Sequence, residues 1–142
     1  MVEVIRDLSR VLAIDYGYKR TGLAWTDPLR ISLNPLPTIE TKAFKEVLAE
    51  YLFDRGIDTV VFGLPTHKDG TITEVGSTVN KLIADLQKKY PDILFETVDE
   101  SFTSVRARQL LFDLGVKKSK RRQKGTVDQM SAVLILKEYL NI

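Results

Sequence analysis

The spacing of hydrophobic residues changes near Thr41, and this change constrains the fold more than any other feature of the sequence. Before Thr41, three short apolar or β-branched segments are separated by turn residues, a pattern that predicts an antiparallel meander. These segments are residues 10–15, 21–26 and 31–39. The third contains Pro35 and Pro37, which lack an N–H for the ladder and therefore favour a sheet edge.

After Thr41, segments with helical spacing alternate with apolar strands. Five apolar residues predict a helix that ends at Gly56, with Thr41 as a candidate N-cap. They are Phe44, Val47, Leu48, Tyr51 and Leu52. Strands are predicted at residues 59–62 and 93–98, with a second amphipathic helix between them. A helix that connects two strands in this way forms a crossover, and crossovers add parallel strands to a sheet.

Two further helices are predicted in the last third of the chain. A short helix ends near Gly115, and Thr126 with Gln129 matches a capping box at the start of the final helix. The predicted fold class is α/β. It has a mixed five-stranded sheet in which β1–β3 form an antiparallel meander, β4 and β5 run parallel to β1, and helices flank both faces.

Length and composition predict one cytoplasmic domain. The chain has 142 residues, of which 44% are hydrophobic, so residues 1–142 are expected to form a single core. It contains no cysteine, and no apolar run approaches the roughly 20 residues that a membrane span needs. The N-terminus also lacks a charged-then-apolar leader. We therefore expect a cytoplasmic protein without disulfides or membrane contact.

A concentrated basic stretch, residues 117–124, stands out from an otherwise acidic chain. It holds six basic side chains while the whole chain has a net charge of +2, so the remainder carries −4. The six are Lys117, Lys118, Lys120, Arg121, Arg122 and Lys124. This concentration predicts a local contact with a polyanion. A solvated basic loop explains the composition equally well.

Three carboxylates follow predicted strands or begin a predicted helix. Asp15 ends the first strand directly before Gly17, Glu100 follows the fifth strand, and Asp128 lies in the first turn of the predicted final helix. Ligands bind at the carboxyl ends of strands in α/β sheets. Each residue also has a structural explanation: Asp15 as a turn residue, Glu100 as a helix cap, and Asp128 as a partner of the helix dipole.

The chemistry of these residues points to a hard cation. One histidine and no cysteine leave oxygen ligands, which suit one or two Mg²⁺ or Mn²⁺ ions. Gly63, which ends the strand between the two carboxylate-bearing strands, leaves space for hydrated ions. Carboxylate-bound cations can activate water and stabilise the leaving oxyanion of a phosphodiester. The predicted reaction is metal-dependent phosphodiester hydrolysis.

Four blocks carry a resemblance to a known family. They are AIDYGYKRTGLA (Ala13 to Ala24), VFGLPTHKDG (Val61 to Gly70), VDESFTSVRA (Val98 to Ala107) and KGTVDQMSAVLIL (Lys124 to Leu136). In this order and spacing, over essentially the whole chain, the sequence resembles the YqgF (RuvX) family of pre-16S rRNA nucleases. These are relatives of the RuvC-type Holliday junction resolvases and have an RNase H-like fold.

The resemblance implies roles for individual residues. Asp15, Glu100 and Asp128 match the family's catalytic metal ligands, and Lys19 and Lys124 match basic residues placed to contact phosphate. Ser101 stands where the family usually has an arginine. Arg106 is a candidate to supply the contact that this arginine would make. His67 is a second candidate for substrate contact. The expected nucleic-acid-binding residues are Lys19, Lys120, Arg121, Arg122 and Lys124.

Aromatic residues near the first predicted turn are further candidates. Tyr16, Tyr18 and Trp25 could stack on bases, although Trp25 on an apolar strand is better explained as part of the core.

The resemblance implies that the chain is a nuclease that trims the 5′ end of pre-16S rRNA. We expect it to act on structured RNA as a monomer or weak dimer. One alternative is a Holliday junction resolvase acting on branched DNA, which would need a stable dimer. A non-catalytic RNA-binding factor is another. A phosphotransferase is a third, since Asp15, Gly17 and Lys19 resemble the phosphate loop of sugar kinases and actin-like ATPases, although those pair two such domains.

Overall fold

The computed structural model describes residues 9–99 and 124–142 and, for residues 124–129, the backbone alone. Its strands are β1 (Arg10–Asp15), β2 (Arg20–Thr26), β3 (Leu33–Glu40), β4 (Ile57–Leu64) and β5 (Leu94–Asp99). Its α-helices are α1 (Phe44–Asp54), α2 (Glu74–Lys89) and α3 (Lys124–Leu140), and a 3₁₀ turn (Thr41–Ala43) leads into α1. None of these helices, over the described ranges, is long and apolar enough to cross a membrane.

The five strands form one sheet in the order β3-β2-β1-β4-β5. β1 pairs with β2, and β2 with β3, in antiparallel orientation, whereas β4 and β5 continue parallel to β1. β3 is an edge strand that accommodates Pro35 and Pro37, because an edge strand has one side without a partner. The predicted sheet and its orientation are therefore confirmed.

Helices cover both faces of the sheet. On one face α1 and α2 bury residues such as Phe44 and Val79 against Ile14 and Phe62. On the other face α3 packs through small and aliphatic residues onto the alternate side chains of β1, β2 and β4. This second cluster consists of Val11, Ala13, Ala24, Val61, Ala132, Ile135 and Leu136. β1 is central and covered on both sides, so four of its six residues are buried.

Two predicted helix starts are wrong. α1 begins at Phe44 after the 3₁₀ turn, and its N-cap position makes no side-chain hydrogen bond, so Thr41 is not the cap. The final helix begins at Lys124, so Thr126 lies inside it and Asp128 is past its first turn. The predicted structural explanation of Asp128, an interaction with the helix dipole in the first turn, therefore does not apply. The predicted short helix ending near Gly115 lies outside the described residues.

Candidate active site

The candidate site lies where β1, β4 and β5 end, which we call the carboxyl-terminal edge. Ile14 pairs with Phe62, and Gly63 with Val98, so Asp15 follows directly at the level of Gly63. The last β4–β5 pair is Leu64 with Asp99. Asp15 is half-buried and Gly63 is buried. The central strand thus delivers a carboxylate to an edge that also receives the end of β5.

The turn after Asp15 is held in shape by groups distant in sequence. A Cβ atom on Gly17 would lie 2.6 Å from the Arg20 carbonyl oxygen, so the turn closes too tightly for any side chain there. The Thr41 hydroxyl donates to the Gly17 carbonyl at 2.6 Å and lies 2.8 Å from the Thr21 hydroxyl. The Thr41 N–H donates to the Lys19 carbonyl at 2.9 Å. The 3₁₀ turn therefore fixes the backbone that follows Asp15.

The loop between β4 and α2 borders the other side of the edge. The Thr66 hydroxyl donates to the Asp99 carboxylate at 2.9 Å, which ties this loop to the end of β5. The Thr73 hydroxyl donates to the Pro65 carbonyl at 3.1 Å and accepts from the Gly76 N–H, so it closes the loop and caps α2. His67 is exposed within this loop. Its side chain lies on the same edge of the sheet as Asp15.

A carboxylate beside His67 is shifted by local hydrogen bonds. The Thr71 hydroxyl donates to Asp69 at 2.7 Å and the Thr71 N–H donates to the same oxygen at 3.0 Å. These bonds, with a smaller contribution from nearby His67, lower the pKa of Asp69 below its usual range. The same hydrogen bonds shape the loop.

The direction of α3 brings its N-terminal part toward the carboxyl-terminal edge. Burial raises the pKa of Tyr139, and the nearby Glu96 and Asp58 carboxylates add to the increase. Asp58 lies near the start of β4, so the C-terminal part of α3 lies at the opposite edge of the sheet. The helix rises by roughly 16 Å between Asp128 and Tyr139, about the length of β1. The backbone of Asp128, in the N-terminal part of α3, therefore lies away from the edge where β4 begins.

The structure locates some of the predicted site residues. Asp15, exposed Lys19 and exposed His67 lie at the carboxyl-terminal edge, and the backbones of Lys124 and Asp128 lie one helical turn apart in α3. Other candidates lie outside the described residues, namely Glu100, Ser101, Arg106, Lys120, Arg121 and Arg122.

Three threonines at this edge were not predicted to act there. Thr21 and Thr41 hold the turn after Asp15, and Thr66 holds Asp99. Their partners lie far away in the sequence or carry no distinctive pattern, so no local signal identifies them.

The donor chemistry of this edge fits a hard divalent cation. No group of three or more histidine or acidic side chains arranged for a metal occurs within the described residues, a set that contains Asp15 but neither Glu100 nor the side chain of Asp128. Carboxylate oxygens are the ligands that Mg²⁺ and Mn²⁺ prefer. Buried Gly63 adds no side chain at the level of Asp15.

The fold is that of the RNase H-like α/β proteins. A solved structure of T. thermophilus RuvC in complex with a Holliday junction substrate matches 93% of this chain and 96% of its own, with a TM-score of 0.52 and 14% sequence identity. At this identity the match establishes the fold alone. It confirms the predicted mixed sheet with helices on both faces.

Sequence comparison is more specific. The model of the family described as "RuvX: Holliday junction resolvase" matches residues 9–142, so the chain belongs to the RuvX family. Relatives from Bacteroides fragilis and Phocaeicola vulgatus are 37% and 41% identical over 133 residues, which is 94% of this chain and 96% of each relative. Both carry the name "Putative pre-16S rRNA nuclease". The predicted family is confirmed, and the predicted nuclease class agrees with these names.

Proposed function

We propose that this chain is a single-domain, metal-dependent nuclease that hydrolyses phosphodiester bonds in pre-16S rRNA, at the 5′ end of the mature sequence, in the cytoplasm. The observation that carries the proposal is the position of Asp15. It ends the central strand, half-buried, at the edge where β5 also ends and toward which the N-terminal part of α3 runs. The names of the RuvX relatives support the choice of substrate.

In this proposal Asp15, Glu100 and Asp128 hold one or two Mg²⁺ or Mn²⁺ ions. Bound there, such ions supply an activated water and charge stabilisation for the leaving oxygen. The chain's own contribution is to fix the geometry. The Thr41 and Thr21 hydroxyls hold the turn after Asp15, and Thr66 holds the end of β5 beside Glu100. Rigid support of this kind keeps reacting groups aligned.

Cationic side chains bind the substrate in the same proposal. Lys19 and Lys124 contact phosphates near the scissile bond, and Lys120, Arg121 and Arg122 contact the backbone farther away. His67 and Arg106 are candidates for additional substrate contacts. Lys19 is exposed on the turn that begins two residues after Asp15, so a phosphate bound near Asp15 lies within reach of its flexible side chain.

A Holliday junction resolvase is the second candidate, favoured by the description of the RuvX family and by the fold shared with RuvC. The protein acts as a monomer or weak dimer in the first proposal, whereas a resolvase needs a dimer with two sites. Sedimentation at assay concentrations therefore separates the two candidates before any cleavage is measured.

The decisive experiment compares cleavage of labelled precursor RNA and four-way DNA junctions in Mg²⁺, Mn²⁺ or EDTA. We expect metal-dependent cutting of the RNA that Asp128→Asn and Asp15→Asn abolish, because each removes a ligand charge. Asp85→Asn, an exposed carboxylate on α2, is the matched control and should cut normally. Preferential cutting of junctions supports the resolvase. Binding without cutting in every condition would overturn the nuclease in favour of an RNA-binding factor.

A further inference from the structure

A shallow basic groove lies beside the turn that follows Asp15. It has a volume of about 430 Å³ and is lined by Tyr18, Lys19, Arg20, Glu40 and Lys42. We call these five residues the turn groove. Three of its side chains are cationic and one is anionic, although the chain outside residues 117–124 is net acidic. The groove therefore has a net positive charge, unlike the chain outside residues 117–124 taken as a whole.

Backbone pairing brings the cations together. Arg20 and Glu40 are partners across β2 and β3, and the Thr41 N–H donates to the Lys19 carbonyl at 2.9 Å. Lys42 follows directly and pairs with Glu40 at 3.1 Å through two exposed side chains. Because two strands and the 3₁₀ turn set this arrangement, the groove is part of the rigid frame of the sheet.

The aromatic residue of the groove differs from its neighbours. Tyr16 packs edge-on against Phe44, with ring centroids 5.7 Å apart, and Trp25 packs edge-on against Tyr51 at 5.4 Å. Tyr18 is instead 57% exposed. An exposed aromatic ring among cations is the combination that binds single-stranded nucleic acid, since the ring stacks on bases and the cations contact phosphates.

The groove is close to the candidate active site. Asp15 pairs with Gly22, and Arg20 begins β2 two residues before Gly22, about 7 Å away along the strand at the usual rise. One strand of a duplex rises about 3.4 Å per nucleotide, so this distance spans two nucleotides at most, since a single strand can be more extended. A strand with one phosphate at Asp15 can therefore place its next phosphates over the groove.

We propose that the turn groove binds the single-stranded segment of the substrate next to the scissile phosphate, with Lys19, Arg20 and Lys42 on phosphates and Tyr18 stacked on a base. Glu40 opposes this binding and holds Lys42 in place before substrate arrives. The proposal rests on the proposed nuclease function but concerns a surface outside the metal-binding carboxylates.

The test measures binding of a labelled RNA hairpin with a single-stranded 5′ extension, by fluorescence anisotropy between about 50 and 200 mM KCl. All proteins carry Asp128→Asn, so the RNA stays intact. The double variant Lys19→Gln/Lys42→Gln should reduce the log–log salt slope by about 1.4, because each lost single-strand phosphate contact contributes about 0.7. Lys81→Gln/Lys88→Gln removes two exposed charges from α2 and should leave the slope unchanged.

Two further variants separate a binding groove from a structural one. Tyr18→Ala should weaken binding of the extended hairpin about 5-fold or more, and should have no effect on a blunt hairpin that lacks the extension. Glu40→Gln should strengthen binding, because it removes the negative charge of the groove. An unchanged slope in the lysine double variant, or weaker binding with Glu40→Gln, would overturn the proposal.

Cleavage assays on the parent protein, in which Asp128 is intact, together with these binding measurements, distinguish this proposal from the nuclease function. If protein with Asp128 intact cuts the RNA while the lysine double variant keeps its salt slope, the groove is wrong and the nuclease stands. If RNA binding depends on the groove but no metal supports cutting, the groove stands and the nuclease does not. Absence of RNA binding by any form would overturn both.

Discussion

The two ends of the sheet differ in the side chains that hold their backbone in place. At the amino-terminal edge, where β1 and β4 begin, Arg30 donates to the Ser9 carbonyl at 3.1 Å, to the Ser9 hydroxyl at 2.9 Å and to Asp58 at 3.0 Å. Arg30 keeps a left-handed backbone (φ 57°), which costs about 1–2 kcal/mol in a residue with a side chain. These three hydrogen bonds offset that cost.

At the carboxyl-terminal edge, neutral hydroxyls hold the backbone next to charged side chains. Thr41 binds the Gly17 carbonyl, and Thr66 binds Asp99. Charge pairing therefore stabilises the fold at one edge, whereas at the other edge the fold presents charges beside a rigid turn.

The largest expected difference between the edges is in the effect of removing a carboxylate. Asp15→Asn should lower cleavage by more than about 100-fold, since removing even an outer partner of a metal ligand costs 10- to 100-fold. Asp58→Asn should leave cleavage unchanged and cost at most about 1 kcal/mol of unfolding free energy, because its ion pair with Arg30 is exposed. Steady-state cleavage and urea denaturation measure both. Equal loss of activity in the two variants would remove the distinction between the edges.

Glycines at the two edges provide a second comparison. Gly17→Ala places a Cβ atom 2.6 Å from the Arg20 carbonyl, so the turn must move, at a cost of about 1–3 kcal/mol and with reduced cleavage. Gly56 lies between α1 and β4 and has a φ of +70°, and a Cβ atom there would meet no atom within 4 Å. Gly56→Ala should therefore lower the free energy of unfolding by about 1–2 kcal/mol through backbone strain alone. Thermal denaturation and cleavage rates test this pair. Normal cleavage by Gly17→Ala would show that the turn tolerates movement.

A pair of threonines offers the same comparison for hydrogen bonds. Thr41→Val removes the hydrogen bond to the Gly17 carbonyl, so it should lower the free energy of unfolding by about 1 kcal/mol and reduce cleavage. Thr41→Ser keeps the hydroxyl and should restore both. Thr26→Val, at the amino-terminal edge, leaves the buried Val11 N–H without its acceptor and should cost about 1–3 kcal/mol with normal cleavage. The larger stability loss is thus expected where activity is unaffected. A Thr41→Val variant that cuts normally would contradict a positioning role for Thr41.

The sheet could be predicted from the sequence because strand and helix periods report burial directly. β1 is apolar from Val11 to Ile14 and central, and the prolines of β3 mark an edge. Helix starts were less predictable. Thr41 has the residue type of an N-cap, but its hydroxyl reaches the Gly17 carbonyl, a partner 24 residues earlier that no local pattern identifies.

The candidate site was predictable only in part. Asp15 was identified by its place at a strand end before Gly17, which is local information. The bond between Thr66 and Asp99 joins residues 33 positions apart, and Lys42 reaches the turn groove through the pairing of β2 with β3. Such contacts depend on the tertiary fold, so no local pattern in the sequence predicts them.

The smallest expected effects concern one aspartate at each edge. At the amino-terminal edge, hydrogen bonds from the Ser32 and Ile31 N–H groups lower the pKa of Asp27 below its usual range, and at the other edge Thr71 does the same for Asp69. A lowered folded-state pKa adds stability above the unfolded-state pKa, and this stability is lost as the pH falls through the folded-state value. Asp27→Asn and Asp69→Asn should therefore be slightly less stable than the parent protein at pH 7, and the difference should close below about pH 4. Urea denaturation between pH 3 and pH 7 measures it. A gap that persists unchanged at pH 3 would mean that the substituted amide perturbs each loop for reasons other than charge.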